Sequence, residues 1–426
     1  MPEIPTPDAP VSQRALYRLL RQRSVLAVLE VFHAALGDVF AMPLPGFNPI
    51  MLAGPEANHF VLVEKRGELH WRAERDPITR LLHRGVLVED GEAHDDLRRQ
   101  MTPALHKRML DRYVDAMWRS TDDITRQWAD SPVDMLVETR KIALLILART
   151  LFNVDFRPEL ERLWHAILRT LNYISPGAWI VWPDVPRPGY QRALRQMDDY
   201  LYQIIHLRRA SPDDSLLGLL IAGGMSDALI RDQLLTMLIA GHDTSTALLS
   251  WALYALSSNP DIQAKAQQEV DAALGADPPD LHKISGLRYL EQVINETLRL
   301  YPPIHLGSRI AATDLEFQGY RIPAGRRVLY SIYLTHRDRR YWPNPAVFLP
   351  ERFAPDQPRQ PYTFVPFGGG PRNCLGMAFA QVEVKVVLAR ILQQFDLAFT
   401  GHRVRPRMGA TLEPQPGVRV RVRRRV

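Results

Sequence analysis

The chain has 426 residues, of which 46% are hydrophobic and 23% charged, a composition that is ordinary for a globular protein. Its net charge is +6, but its arginines are not interleaved with aromatic residues, and no known nucleic-acid-binding motif is recognisable, so we expect no nucleic-acid binding. The single cysteine excludes an internal disulfide, a four-cysteine iron–sulfur cluster and a four-cysteine zinc site.

The first elements are helical and then strand-like. The amino-terminal stretch lacks the apolar core of a signal peptide, and no run of about 18 apolar residues occurs, so we expect no transmembrane segment and a cytoplasmic protein. Helical periodicity over residues 24–37 gives way to short strand-like pieces at 39–45 and 48–54, which Gly and Pro terminate.

From Asp95 to about Leu300 the pattern is almost entirely helical. Residues 175–189 interrupt it with prolines and an apolar run, and they predict an apolar entrance to a binding pocket. That run consists of Trp179, Ile180, Val181 and Trp182.

A long apolar helix is predicted from Ser226, a plausible N-cap, and it contains the polar stretch AGHDTST at residues 240–246. Interior glycine and buried polar groups destabilise a helix. One interpretation is a local bend, with Thr244 or Thr246 bonding back to the preceding turn. The other, compatible with it, is a functional site.

Glu296 and Arg299 follow at the spacing of a helical ion pair, which by itself is typical of an exposed pair. Residues 310–332 then predict a hairpin, and residues 338–366 a long irregular segment. The alternation of Val and Arg at the carboxyl end predicts a solvated edge strand and a basic tail, with a docking surface for an acidic partner as the alternative.

The cysteine lies in the loop FGGGPRNCLG, residues 367–376, ahead of an apolar helical run. A lone cysteine there is most often a small buried hydrophobe. Three glycines, however, let the backbone come close to a flat ligand, and the first turn of a helix favours a thiolate, the form that binds iron. Gly376 leaves room beside the sulfur, and Arg372 can meet an anionic group on the same ligand.

This loop resembles that of the cytochrome P450 family, Phe-x-x-Gly-x-Arg-x-Cys-x-Gly. Its fixed places are filled by Phe367, Gly370, Arg372, Cys374 and Gly376. The resemblance implies that Cys374 is the axial thiolate ligand of heme b, that Phe367 packs over the sulfur side of the ring and that Arg372 binds a propionate.

Three further motifs resemble the family. The stretch at 240–245 matches its oxygen-side pattern, which implies that Ala240 lines the heme, that Thr244 hydrogen-bonds the iron-bound oxygen and that Asp243 relays protons to it. Glu296 and Arg299, with Arg352 in the PERF stretch, match the ion-pair triad that braces the cysteine loop. The remaining matches, expected to be propionate ligands, are His94, Arg98 and Arg309.

The resemblance covers essentially the whole chain, and it implies a mainly α protein with a small β region, the P450 fold, in a single domain of residues 1–426. It implies a monooxygenase that inserts one oxygen atom from O2 into a hydrophobic substrate such as a fatty acid, terpenoid or carotenoid. Residues 71–88, 175–189 and 304–307 are expected to line the pocket.

Because the chain has no GxGxxG motif and no flavin domain, its electrons are expected from a separate ferredoxin or flavodoxin with its reductase. Two alternatives stay open: a peroxide-driven peroxygenase on the same heme, and a non-enzymatic heme-based gas sensor or carrier.

Overall fold

The structure, a computed structural model, describes residues 2–43, 46–180 and 184–425 and is mainly helical. The α-helices are α1 (Ala9–Gln22), α2 (Val25–Leu36), α3 (Pro55–His59), α4 (Pro77–Leu82), α5 (Gly91–Met101), α6 (Lys107–Thr125), α7 (Met135–Leu147), α8 (Leu160–Ile174), α9 (Gln191–Ala210), α10 (Leu216–Ala222), α11 (Asp227–Met237), α12 (Thr244–Ser258), α13 (Pro260–Ala273), α14 (Leu281–Gly286), α15 (Arg288–Leu300), α16 (Ile332–Thr335) and α17 (Met377–Gln394). No helix in these ranges is long and apolar enough to cross a membrane.

The strands form small sheets beside the helices. They are β1 (Val39–Ala41), β2 (Ile50–Ala53), β3 (Leu69–His70), β4 (Pro132–Asp134), β5 (Leu306–Ala311), β6 (Leu315–Phe317), β7 (Tyr320–Ile322), β8 (Arg327–Ser331), β9 (Phe395–Phe399), β10 (Arg405–Met408), β11 (Leu412–Gln415) and β12 (Arg419–Arg424). The largest sheet has the order β1-β2-β8-β5-β3, in which β2 and β8 are parallel and the other pairs antiparallel. The prediction of a mainly α chain with a small β region is confirmed.

A central helical segment, α11 and α12 joined by the π-helical turn Leu238–Asp243, runs through the largest hydrophobic cluster. Ser226 caps it as predicted, since its Oγ accepts the N–H of Leu229. Helices α7, α15 and α17 pack against α12, and this arrangement explains why residues on every side of α12 are buried. The polar stretch therefore lies in the interior of the protein.

The predicted hairpin is present as β6 and β7, joined by Gln318 and Gly319 with φ of +50° and +81°. Two consecutive positive φ values suit a tight two-residue hairpin turn, which glycine accommodates without strain. The strand β5 before this hairpin carries Arg309, and it pairs with β8 so that Arg309 lies opposite Val328.

The carboxyl-terminal strand corrects one expectation. The Val-Arg alternation does form a strand, β12, but β12 lies between β4 and β9 as the centre of a three-stranded sheet, so the prediction of an edge strand is wrong. Its valines are buried and its arginines point outward. Arg423 and Arg425 form ion pairs with acidic residues of this chain, namely Asp396 and Asp271.

Candidate active site

The cysteine loop is held close to the turn that follows α3. The 3-10 turn Gly370–Arg372 begins at Gly370, whose φ is +62°, and a Cβ there would lie 2.4 Å from the carbonyl oxygen of Leu62. Only glycine fits both the backbone conformation and this close approach. The N–H of Cys374 donates to the carbonyl oxygen of Phe367 at 2.8 Å, which closes the loop on itself.

Cys374 combines an accessible side chain with close protein surroundings. Its side chain is accessible, yet protein atoms surround it closely enough for burial to raise the pKa of its thiol. These observations agree if the surface that Cys374 exposes borders an interior space rather than bulk water. The backbone N–H of Gly376 and the charge of Arg98 act in the opposite direction and lower the pKa of the thiol. The two groups would thus stabilise a thiolate.

A positively charged cluster lies beside this loop, and it brings together the four predicted propionate ligands His94, Arg98, Arg309 and Arg372. The charge of Arg372 lowers the pKa of His94, and that of Arg309 lowers the pKa of Arg372, although burial is the larger cause for both. Burial brings the pKa of Arg372 to about 10. Cations packed so closely favour an anionic ligand between them.

Each member of the cluster has contacts within the chain. Arg372 donates to Asp90 at 2.8 Å and to the carbonyl oxygen of Glu89 at 2.7 Å. Arg98 donates to the backbone carbonyl of Asn373 at 2.7 Å, directly before the cysteine. The ring of His94 lies 2.8 Å from an Asp95 oxygen, and the buried Arg309 donates to the carbonyl oxygen of Ser308 at 2.7 Å.

Between residues 230 and 253 the central helical segment is buried except for Ala240, Gly241 and Thr244, which are half-buried and lie on one side of the π-helical turn. The hydroxyl of Thr244 donates to the carbonyl oxygen of Ala240 at 2.7 Å, and that of Thr246 donates to His242 at 2.9 Å. Both proposed back-bonds are therefore present. A Cβ on Gly241 would lie 2.9 Å from Leu147, so glycine also permits the close packing of α7.

Asp243 is buried, while its neighbour Thr244 is half-buried. It accepts a hydrogen bond from the hydroxyl of Thr411 at 2.8 Å, and its other oxygen lies 3.5 Å from the guanidinium of Arg140, which also pairs with Glu413. Burial, together with the charge of Glu413, raises the pKa of Asp243 to about 6, and Arg140 and Thr411 oppose this rise. Asp243 can therefore exchange a proton near neutral pH.

The partners of Asp243 are not evident from the sequence. Arg140, a charged residue within the apolar run of α7, could have signalled a buried polar contact. Nothing in the sequence pairs it with residues more than one hundred positions away. His242, the residue directly before Asp243, is also buried.

A second buried carboxyl joins the central segment to the helix that follows the cysteine. The hydroxyl of Ser245 donates to Glu383 on α17 at 2.6 Å, and burial raises the pKa of Glu383 to about 8. Six residues separate Glu383 from the start of α17, which is roughly 9 Å along the helix axis. The contact therefore joins the residue after Thr244 to the helix that follows Cys374.

The predicted triad is assembled behind the site. Glu296 and Arg299 are both fully buried, and the guanidinium donates to both carboxylate oxygens at 2.7 and 2.8 Å. The Nε of Arg352 lies 3.4 Å from Glu296, a distance for an ion pair, and its terminal nitrogen donates to the carbonyl oxygen of Asn344. The triad thus ties α15 to the irregular segment before the cysteine loop.

The predicted apolar entrance is described in part. Trp179 and Ile180 are half-buried, and the Trp179 indole N–H donates to the carbonyl oxygen of Ser175 at 2.7 Å. Val181 and Trp182 lie outside the described residues. The Ser175 hydroxyl accepts the N–H of Ala410 at 3.0 Å, which connects this loop to the turn between β10 and β11.

The residues present fit a heme. The accessible cysteine could supply a thiolate ligand for iron, the glycine-rich loop could let a flat ring approach the backbone, and the arginines of the cluster could pair with two anionic carboxylates. An interior bounded by a thiolate loop and a bent helix with a hydroxyl and a carboxyl defines the class of heme-thiolate oxygenases.

Comparison with known proteins agrees with this class. The cytochrome P450 family model matches residues 8–420, so the chain belongs to the cytochrome P450 family. A Mycobacterium tuberculosis protein provisionally named cytochrome P450 139 is 33% identical over 410 residues, covering 91% of this chain and 95% of its own length. Another from the same organism, provisionally named cytochrome P450 135B1, is 31% identical and covers 98% of this chain and 91% of its own.

Among solved structures, the retinoic acid-bound cyanobacterial CYP120A1 matches with a TM-score of 0.84 and 28% identity, covering 93% of this chain and 94% of that one. The protein is a cytochrome P450 monooxygenase with heme as its cofactor. The predicted family, fold, enzyme class and cofactor are confirmed.

Proposed function

We propose that this protein inserts one oxygen atom from O2 into a hydrophobic organic substrate, with Cys374 as the thiolate ligand of the heme iron. The observation that carries the proposal is an accessible cysteine closely surrounded by protein atoms, with the N–H of Gly376 and the charge of Arg98 favouring its thiolate. When bound, a heme with a thiolate ligand supplies the activation of dioxygen. The remaining roles belong to the chain.

Phe367, Ala240 and the cationic cluster would hold the heme. Phe367 is partly buried against the hydrophobic core at the start of the cysteine loop, so it packs on the side of the sulfur. Ala240 lies on the accessible side of the central segment, where a small side chain leaves room for a flat ring. Arg98, Arg309 and Arg372 would neutralise the propionates, and His94, whose pKa burial lowers, would donate a hydrogen bond to one of them.

Thr244 and Asp243 would donate a hydrogen bond and supply protons on the side of the heme where O2 binds. The Thr244 hydroxyl borders the accessible strip and can donate there instead of to Ala240. Burial and the charge of Glu413 raise the pKa of Asp243 to about 6, so that Asp243 can supply a proton near neutral pH. This pair supports the use of O2 rather than peroxide.

The substrate would be apolar, of the fatty acid, terpenoid or carotenoid class. Trp179 and Ile180 in the loop over the predicted entrance, and the exposed Ile304 before β5, provide apolar surface for it. The bound retinoic acid of CYP120A1, an apolar chain with one carboxylate, is a compound of this kind. Two electrons per turnover would come from a separate ferredoxin or flavodoxin with its reductase, since the chain has no nucleotide-binding motif for a flavin or nicotinamide.

The test is the visible spectrum of the reduced protein under carbon monoxide. The wild type should show a strongly red-shifted Soret band, and Cys374→Ser should lose it. Ala378→Ser, which places a hydroxyl on an exposed position four residues further on, is the matched control and should keep the band. A red-shifted band in Cys374→Ser, with circular dichroism showing a folded chain, would contradict the assignment of the ligand.

The reaction itself is tested with the wild type. Apolar ligands that shift the spin state of the heme are offered with O2 and either a ferredoxin or flavodoxin system or hydrogen peroxide. Product formed with the electron donors supports the proposal. Product formed with peroxide alone would support the peroxygenase instead.

A further inference from the structure

The outward face of α1 exposes an unusual set of apolar side chains. Leu16 is 54% exposed, Tyr17 63% and Leu20 70%. At about 100° per residue, the three fall within an arc of about 100° on the helix. On the opposite face, Val11 and Ala15 are buried, and α1 packs on α2. The exposed residues are therefore fixed in position rather than free to turn inward.

Four arginines border this apolar arc. Arg14, Arg18 and Arg21 lie on its edge, within the next roughly 100° of the helix, and Arg23 follows at the helix end. In the part of the chain that the structure describes, none of their side chains makes an ion pair or hydrogen bond. Other exposed arginines do: Arg119 pairs with Asp115 at 2.9 Å.

This combination favours a planar anionic surface. A single helix with an apolar stripe and a flanking row of arginines suits the interface of a bilayer, where apolar side chains enter the boundary of headgroups and acyl chains and arginines bind phosphates. The face is one helix wide, with a length of about 21 Å for the 14 residues of α1, and Arg14, Tyr17 and Arg18 also line a groove towards α2. Exposed leucines contribute favourable free energy to binding only if the partner buries them against apolar surface, and an acidic hydrophilic surface has none to offer.

We propose that α1 docks this protein on an anionic lipid surface, with Leu16, Tyr17 and Leu20 inserted at the interface and the four arginines on the lipid phosphates. The association is peripheral. It is independent of the oxygenase chemistry, because no residue of α1 belongs to the site described above.

The test is co-sedimentation of the heme-loaded full chain with vesicles of phosphatidylcholine, alone or mixed with phosphatidylglycerol. Binding is expected to the mixed vesicles and to fall with added salt. Arg14→Gln/Arg18→Gln should weaken it about 25-fold, about fivefold for each arginine. Leu16→Ser/Leu20→Ser should weaken it at least about tenfold.

Matched controls distinguish the helix from general charge and hydrophobicity. Arg119→Gln/Arg157→Gln removes the same charge elsewhere, and Leu207→Ser, at a position 63% exposed, removes an exposed leucine elsewhere. Both should bind as the wild type does. All variants should keep the carbon monoxide spectrum, which shows that they are folded.

Four results would overturn the proposal: no binding to the mixed vesicles, equal binding to both kinds of vesicle, controls that lose as much as the α1 variants, or retention on immobilised poly-glutamate without vesicle binding. The last would assign the face to an acidic protein instead.

Discussion

Replacing Arg299 tests whether the buried triad stabilises the segment that leads to the cysteine loop. The Arg299 guanidinium donates to both oxygens of Glu296 and to three backbone carbonyl oxygens of residues 336–347, at 3.0, 2.9 and 3.2 Å. Arg299→Ala would leave the buried Glu296 with only the longer ion pair to Arg352, at 3.4 Å, and these carbonyls without a donor. Breaking a buried pair in this way costs about 3–5 kcal/mol, a large part of a total of about 5–15 kcal/mol.

The same helix provides the control. Arg288 and Glu291 on α15 have the same residue types at the same spacing, but Arg288 is 76% exposed and the charged atoms are 3.9 Å apart. Arg288→Ala should therefore cost less than about 0.5 kcal/mol.

The assay is unfolding in urea, followed by far-ultraviolet circular dichroism and by the Soret band. Arg299→Ala should unfold at a much lower urea concentration than Arg288→Ala, and it should lose heme first, because the segment that leads to Cys374 is released. If the two variants unfold at the same concentration and retain the same heme, the triad is not what braces the loop.

Three further outcomes are expected. Because burial raises the pKa of Glu383 to about 8, the folded protein keeps a proton that the unfolded chain releases, so the free energy of unfolding of the wild type should fall relative to Glu383→Gln as the pH rises from about 5 to about 8; a pH-independent difference in urea midpoints would contradict this. Thr411→Val removes a hydrogen bond that lowers the pKa of Asp243, so the alkaline limb of the substrate-oxidation rate, where Asp243 loses the proton that it supplies, should move up by as much as about one pH unit, and it should be absent in Asp243→Asn; superimposable profiles of Thr411→Val and wild type would exclude the role of Asp243. Gly370→Ala should reduce the heme bound per chain more than Gly368→Ala, since both have positive φ but only the first brings a Cβ within 2.4 Å of a carbonyl oxygen; equal heme contents would mean that backbone strain alone matters.

The features that the sequence predicted correctly are those that depend on residues close together in the chain. The cysteine loop, the bend at residues 240–246 and the Glu296–Arg299 pair are local patterns, and the structure shows a tight loop, a π-helical turn and a buried pair at those places. The same reasoning predicted the β6–β7 hairpin from its turn residues. It assigned β12 to an edge because alternation shows that one face is buried and says nothing of how many neighbours a strand has.

What the sequence could not supply is the set of partners that sets each group's proton affinity. In the sequence, Glu383 is one of several polar residues in the largely apolar α17. Only the packing of α17 on α12 brings it to Ser245, 138 positions away. The direction of its pKa shift follows from burial, which is a property of the assembled core.

Asp243 and Thr244 show how far adjacent residues can differ. Neighbouring side chains on a helix point about 100° apart. The Thr244 hydroxyl is therefore half-buried, whereas the Asp243 carboxyl is buried among Arg140, Thr411 and Glu413. The motif specifies that an aspartate and a threonine are present, but residues of α7 and β11 determine the pKa of the aspartate. Because β11 also follows the turn that bonds Ser175 of the apolar loop, the proton affinity of Asp243 depends on elements that no local pattern connects to it.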